Sequence, residues 1–156
     1  MEINNKVLSV PFLRSLFFMQ NKWHQHGILI HTLRVTYYTL KAGQFRMFIA
    51  ALLHDVGKPS TAFVKDEEDE IHGEYSFTDH EEKSYQIIKN WPFISEYTKN
   101  LVRYHYLIRD IKKSATENPQ RHLEKKKIWD SLDNEMHEEL RIFFEFDDLG
   151  KGKKRR

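Results

Sequence analysis

The feature that most constrains this chain is where its ionisable residues fall on its helical periodicity. Apolar residues recur at three- and four-residue spacing along most of the length, and short connections rather than long linkers separate the periodic segments. Imidazoles and carboxylates interrupt those apolar stripes. His31 shares a face with Ile28 and Val35, His105 falls between Leu101 and Ile108, and His80 lies with Ser84, Ile87, Ile88 and Trp91. Asp147 continues the stripe of Leu140, Phe143 and Phe144, while His54 and Asp55 end the most apolar helical segment, Met47 to Leu53. A polar group at the buried end of such a stripe costs on the order of several kcal/mol unless it is paired or ligated. Six such groups on five helices therefore call for a common partner, and a divalent metal ion would serve while drawing together helices distant in sequence.

The bulk properties agree with one folded domain. With 156 residues, 40% hydrophobic and 31% charged, the chain is large enough for one real core and short for two. We expect a single domain over 1–150 and a basic tail over 151–156, where KGKKRR carries five cations. The absence of cysteine restricts a metal site to imidazole, carboxylate and water. No signal peptide and no apolar run of about 18 residues is present, so the expectation is a cytoplasmic protein without membrane contact. A net charge of +2 does not give the broad positive field of a strongly basic nucleic-acid binder. The acidic run Asp66 to Glu70 and the basic tail read as solvated segments.

The pattern predicts an all-α bundle of five or more helices, with room for a small β-hairpin after His54-Asp55. A first helix spans about Pro11 to Met19, and a second starts after Gly27 and stops at Ala42-Gly43. A third, from Gln44, places Phe45, Phe48, Ile49 and Leu52 on one side and ends at Gly57 and Pro59. Ser60 to Thr78 reads as a loop, with β-friendly pieces at Ala62 to Val64 and Glu74 to Phe77. Thr78 or Asp79 caps a fourth helix reaching Trp91, and Ser95 caps a fifth running through Ile108. Lys112 to Gln120 reads as a loop, and two last helical pieces cover His122 to Leu132 and Asn134 to Leu149, closed by Gly150.

The order of these residues resembles the HD superfamily of metal-dependent phosphohydrolases. The likeness rests on His31 opening HTLRV, on HDVGKPST with His54-Asp55, and on DHEEKS around His80. It continues through RYHYLIRD around His105, KIWDSLD, and FDDLGK with a distal aspartate. From His31 to about Gly150, roughly three quarters of the chain, it is most similar to the HD domain that follows the polymerase core of bacterial CCA-adding tRNA nucleotidyltransferases. The polymerase motifs are missing and Met1 to Asn21 leaves no room for them, so CCA addition is not expected.

The resemblance implies His31, His54, Asp55 and Asp147 as primary metal ligands. It selects Asp147 over its neighbour Asp148 through the pattern of Asp, two residues, Gly and a basic residue. His80 and His105 resemble the accessory histidines that hold a second ion; alternatively they bind phosphate or protonate the leaving oxygen. Lys58 resembles the lysine of the HD-x-Gly-Lys pattern, implying a catalytic or substrate-binding cation; it also suits a helix C-terminus. One or two ions of Mn²⁺, Fe²⁺, Co²⁺, Ni²⁺, Mg²⁺ or Zn²⁺ fit such donors. The implied reaction is hydrolysis of a phosphomonoester or cyclic phosphodiester of a nucleotide or RNA end by metal-activated water. Alternatives are a single-strand nuclease, a dinucleotide-polyphosphate hydrolase, or a non-catalytic module holding RNA or a partner with its tail. His24, His26, His72, His122 and His137 read as structural, with His26 and His72 nearest in sequence to the ligands.

Overall fold

The computed structural model describes residues 19–153. The chain enters through β1 (Met19–Gln20) and forms α1 (Ile28–Lys41), a 3₁₀ turn (Phe45–Met47), α2 (Phe48–Leu53) and α3 (Lys58–Thr61). It continues through β2 (Ala62–Phe63), α4 (Glu67–His72), β3 (Glu74–Phe77) and α5 (His80–Ile88). The rest is helical: α6 (Glu96–Tyr104), α7 (Leu107–Glu117), α8 (Pro119–Ser131) and α9 (Asn134–Lys151). Helices pack around Val35, Met47, Ala50, Leu101, Leu140 and Phe143, all fully buried. Among the described residues no helix is long and apolar enough to cross a membrane. The fold is the all-α bundle the periodicity predicts.

Four side-chain caps open helices, of which Ser95 is the one expected from the sequence. The side chains of Asp66, Ser95, Asn118 and Asp133 accept backbone N–H bonds from Asp69, Thr98, Arg121 and Met136, satisfying donors that a helix start leaves open. The predicted hairpin pieces do pair: Ala62 faces Phe77 and Phe63 faces Ser76 in antiparallel register. The sheet gains a third strand that the sequence did not announce, since Met19 and Gln20 run parallel to Glu74 and Tyr75. Met19 is thus strand and not helix end, and the remainder of the helix expected from Pro11 lies outside the described residues.

Several expectations fail for physical reasons. The acidic run is α4 and not loop: Asp66 caps it and four acidic residues occupy its first turn, where the helix dipole favours negative charge. Gly73, at φ 62°, ends it in the left-handed region. On α2 the buried set is Ala50, Ala51 and Leu53 with Met47 just before it, while Phe45 is 72% exposed. The small alanines let α1 and α6 approach, and of the residues expected on one side Phe45 and Ile49 are exposed while Phe48 and Leu52 are half-buried. The fourth helix stops at Ile88, short of Trp91, and Asp79 at φ 52° makes no capping bond. The fifth helix breaks after Tyr104 and restarts at Leu107, and α7 carries the helix through Glu117, where a loop was expected. Gly150 does not close α9, which runs on to Lys151 and is capped by Gly152.

Candidate metal centre

Two close backbone approaches assemble the site. A Cβ on Gly57 would lie 2.5 Å from the Ser84 nitrogen and 2.6 Å from the His80 carbonyl oxygen, so α5 can cross the end of α2 only over glycine. Ser84 fastens the crossing: its hydroxyl donates to the His54 carbonyl (2.7 Å) and accepts from the Gly57 N–H (2.9 Å). Gly150 plays the same part for α9 and α1, since a Cβ there would meet Val35 Cγ2 at 2.4 Å and the His31 ring at 3.1 Å. Neither glycine serves chiefly as the stop signal its sequence position suggested.

These crossings bring His31 of α1, His54 and Asp55 at the end of α2, His80 of α5, His105 after α6 and Asp147 of α9 into one buried cluster. Asp55 is its centre. Its Oδ2 lies 3.2 Å from His54 Nε2 and 3.4 Å from His31 Nε2, and its Oδ1 lies 3.5 Å from His80 Nε2 and 3.8 Å from His105 Nε2. Asp147 Oδ1 approaches His31 Nε2 at 3.0 Å and His54 Nε2 at 3.8 Å. His31 and His54 meet Nε2 to Nε2 at 3.3 Å. All six residues that the sequence singled out inward are therefore together.

The donor set fits a metal ion. Two triads, His31–His54–Asp147 and His54–Asp55–His105, each offer ligand atoms lying within 4.8 Å of one another, and they share His54. Neither carboxylate oxygen of Asp55 finds a hydrogen-bond partner, although the Lys58 ammonium sits 2.7 Å from Oδ2. Oδ1 faces only imidazoles, and a second cation would relieve what the single ammonium on Oδ2 leaves uncompensated. His54 Nδ1 lies 2.8 Å from the Ala51 carbonyl and His105 Nδ1 lies 2.6 Å from the Val102 carbonyl. An Nδ1–H donating there leaves the Nε2 lone pair facing Asp55, the tautomer a ligand needs.

Electrostatics favour neutral imidazoles at His31, His80 and His105, and favour the charged form at His54. Burial lowers His31, lowers His80 well below the usual imidazole range, and brings His105 to about 4. Burial would raise Asp55, but the charges of His54 and Lys58 outweigh it and hold the carboxyl well below its usual range. Asp147 is likewise pushed up by burial and pulled well down by His31. His54 is depressed by burial and raised overall by Asp55.

Three neighbours of this cluster escaped the sequence reading. The His24 ring packs edge-on to His31 at 5.3 Å, whereas His72, favoured from proximity in sequence, is exposed at the end of α4. Gln20, from the unexpected strand, accepts a hydrogen bond from Lys58 at 2.5 Å. Arg109 of α7 binds both Asp147 and Asp148. None of the three carries a periodicity signal that separates it from an ordinary surface residue. Of the other histidines given a structural role, His122 faces the Ile111 carbonyl and His137 stacks on Trp129.

A family model described as HD domain matches residues 28–150. No curated protein matches the chain.

Proposed function

The chain belongs to the HD-domain family, in general metal-dependent hydrolases of phosphate compounds, and on that premise we propose that it hydrolyses a phosphomonoester or cyclic phosphodiester of a nucleotide or RNA end. The observation that carries this reading is the buried Asp55 carboxylate, without a hydrogen-bond partner and ringed by four imidazole Nε2 atoms at 3.2 to 3.8 Å. His31, His54, Asp55 and Asp147 would hold one divalent ion, and His80 and His105 would complete a second site with Asp55 between them. When bound, the metal supplies Lewis acidity, which makes water a nucleophile near neutral pH and polarises a phosphoryl oxygen.

The chain's own groups prepare the rest. Lys58, 5% exposed, spends its ammonium on Asp55 and Gln20. Its first role in this reading is to hold the Asp55 carboxylate, and a substrate phosphate would add to that role. His80 and His105, kept neutral by burial, would hold a second ion through their Nε2 lone pairs. The resemblance to the HD domain of CCA-adding enzymes tilts the substrate toward RNA ends.

The test is turnover of 2′,3′-cyclic AMP and p-nitrophenyl phosphate by purified protein with Mn²⁺, Co²⁺ or Ni²⁺. Turnover with at least one substrate and metal, lost in His54→Ala, supports the proposal; no turnover in any metal overturns it.

A further inference from the structure

Asp147 and Asp148 are adjacent on α9, yet they do different things, and Arg109 is the reason. Asp147 turns Oδ1 toward His31 and His54 and Oδ2 toward the Arg109 guanidinium, 3.2 Å away. The same Arg109 nitrogen, Nη2, donates to Asp148 Oδ1 at 2.6 Å, and Lys151 reaches that oxygen at 2.8 Å. The guanidinium carbon also lies 4.7 Å from the centre of the Phe144 ring. Arg109 is thus braced by an aromatic face and an outer carboxylate, and its Nη2 is set against one oxygen of an inner carboxylate.

A carboxylate near the end of a helix has little of its own to fix its rotation. Anchoring one oxygen on a braced guanidinium leaves the other to face the imidazoles, which is how outer hydrogen bonds orient metal-ligating carboxylates generally. We propose that Arg109 is a positioning residue for Asp147: it presents Asp147 to the metal through Oδ1 alone, while Asp148 acts as the brace for Arg109 and not as a ligand. This rests on the reading of Asp147 as a ligand given above.

The sign of the effect separates positioning from simple charge compensation. A cation serving only as counter-charge to Asp147 competes with the metal, so removing it strengthens metal binding. A positioning cation weakens metal binding when removed. The experiment is Mn²⁺ binding followed by electron paramagnetic resonance, with Co²⁺ absorption as a second probe, on wild type, Arg109→Met, Arg109→Lys and Asp148→Asn, and thermal melts of the metal-free proteins. Arg109→Met is expected to weaken Mn²⁺ binding by about 10- to 100-fold. Arg109→Lys should recover part of the affinity, and Asp148→Asn should lose less than Arg109→Met. Unchanged or tighter binding by a folded Arg109→Met or Arg109→Lys protein overturns this inference while leaving the metal reading intact. Wild-type protein that takes up neither ion overturns both.

Discussion

Two polar clusters in this bundle differ in how their charges are matched. At α7 and α8, Asp110 receives Arg121 on both oxygens, each at 2.8 Å, and Lys125 at 3.0 Å. Arg121 also reaches Asp79 at 2.7 Å, tying the start of α5 to α8. Every formal charge there meets its opposite inside the chain. Around Asp55, by contrast, four imidazoles and one ammonium crowd two carboxylates, and Asp55 Oδ1 and Oδ2 remain without hydrogen bonds. Balanced ion pairs hold helices together; an unbalanced and more deeply buried cluster of good ligand atoms is arranged for a group that comes from outside.

The sharpest way to break this contrast is to remove a side chain from each cluster and compare. Asp55→Ala should abolish both turnover and metal uptake, measured by steady-state assay and by metal content after dialysis, and the metal-free protein should still fold. An Asp55→Ala protein that keeps full metal uptake would return this cluster to the structural class. Gly57→Ala comes next in size: the new Cβ would strike backbone atoms of α5, which cannot rotate away, and about 3 kcal/mol of stability should be lost in denaturant unfolding. Ser84 and His80 would be displaced together, so metal affinity should fall as well.

On the balanced side, Asp110→Asn should cost about 2 kcal/mol, the range of hydrogen bonds to charged groups, with turnover per folded molecule retained. The pH dependence has a definite sign. Burial raises Asp110, but Arg121 and Lys125 outweigh it and lower its carboxyl below the ordinary value. The depressed folded-state value means that its contribution is fully present above the unfolded pKa, near pH 4, and is lost as pH falls through the folded one. Acid melts of wild type and Asp110→Asn should therefore begin to converge below about pH 4 and meet only below the lowered folded-state value. The smallest effect expected is from deleting residues 154–156. Turnover should be unchanged if this is the hydrolase proposed, whereas salt-sensitive RNA binding lost with those residues would favour the binding-module alternative.

Much of the site was legible because burial of a polar residue leaves a trace in a helical pattern. His31, His80, His105 and Asp147 each stand where an apolar side chain belongs, and His54-Asp55 close an apolar run. His24, Gln20 and Arg109 leave no such trace. His24 precedes α1, Gln20 belongs to a two-residue strand, and Arg109 lies on a partly exposed face of α7. Their relation to the cluster depends on chain crossings that local periodicity does not encode.

The glycines show the same limit. Gly57 and Gly150 read locally as stop signals, because a missing side chain is all that a sequence displays. Their packing partners, the α5 backbone and the His31 and Val35 side chains, come from distant segments.

What the amino-acid sequence determined by itself was the helical class, the starts of α1, α5, α6 and α9 and the identity of the six inward groups, since each follows from spacing, capping chemistry or the cost of burying polarity. Tertiary structure alone decided that these groups converge on Asp55, that α4 and the Arg109 brace exist as they do, and which helices can touch. Those outcomes depend on long-range contacts and close backbone approach, which follow from how whole elements pack and not from any one segment.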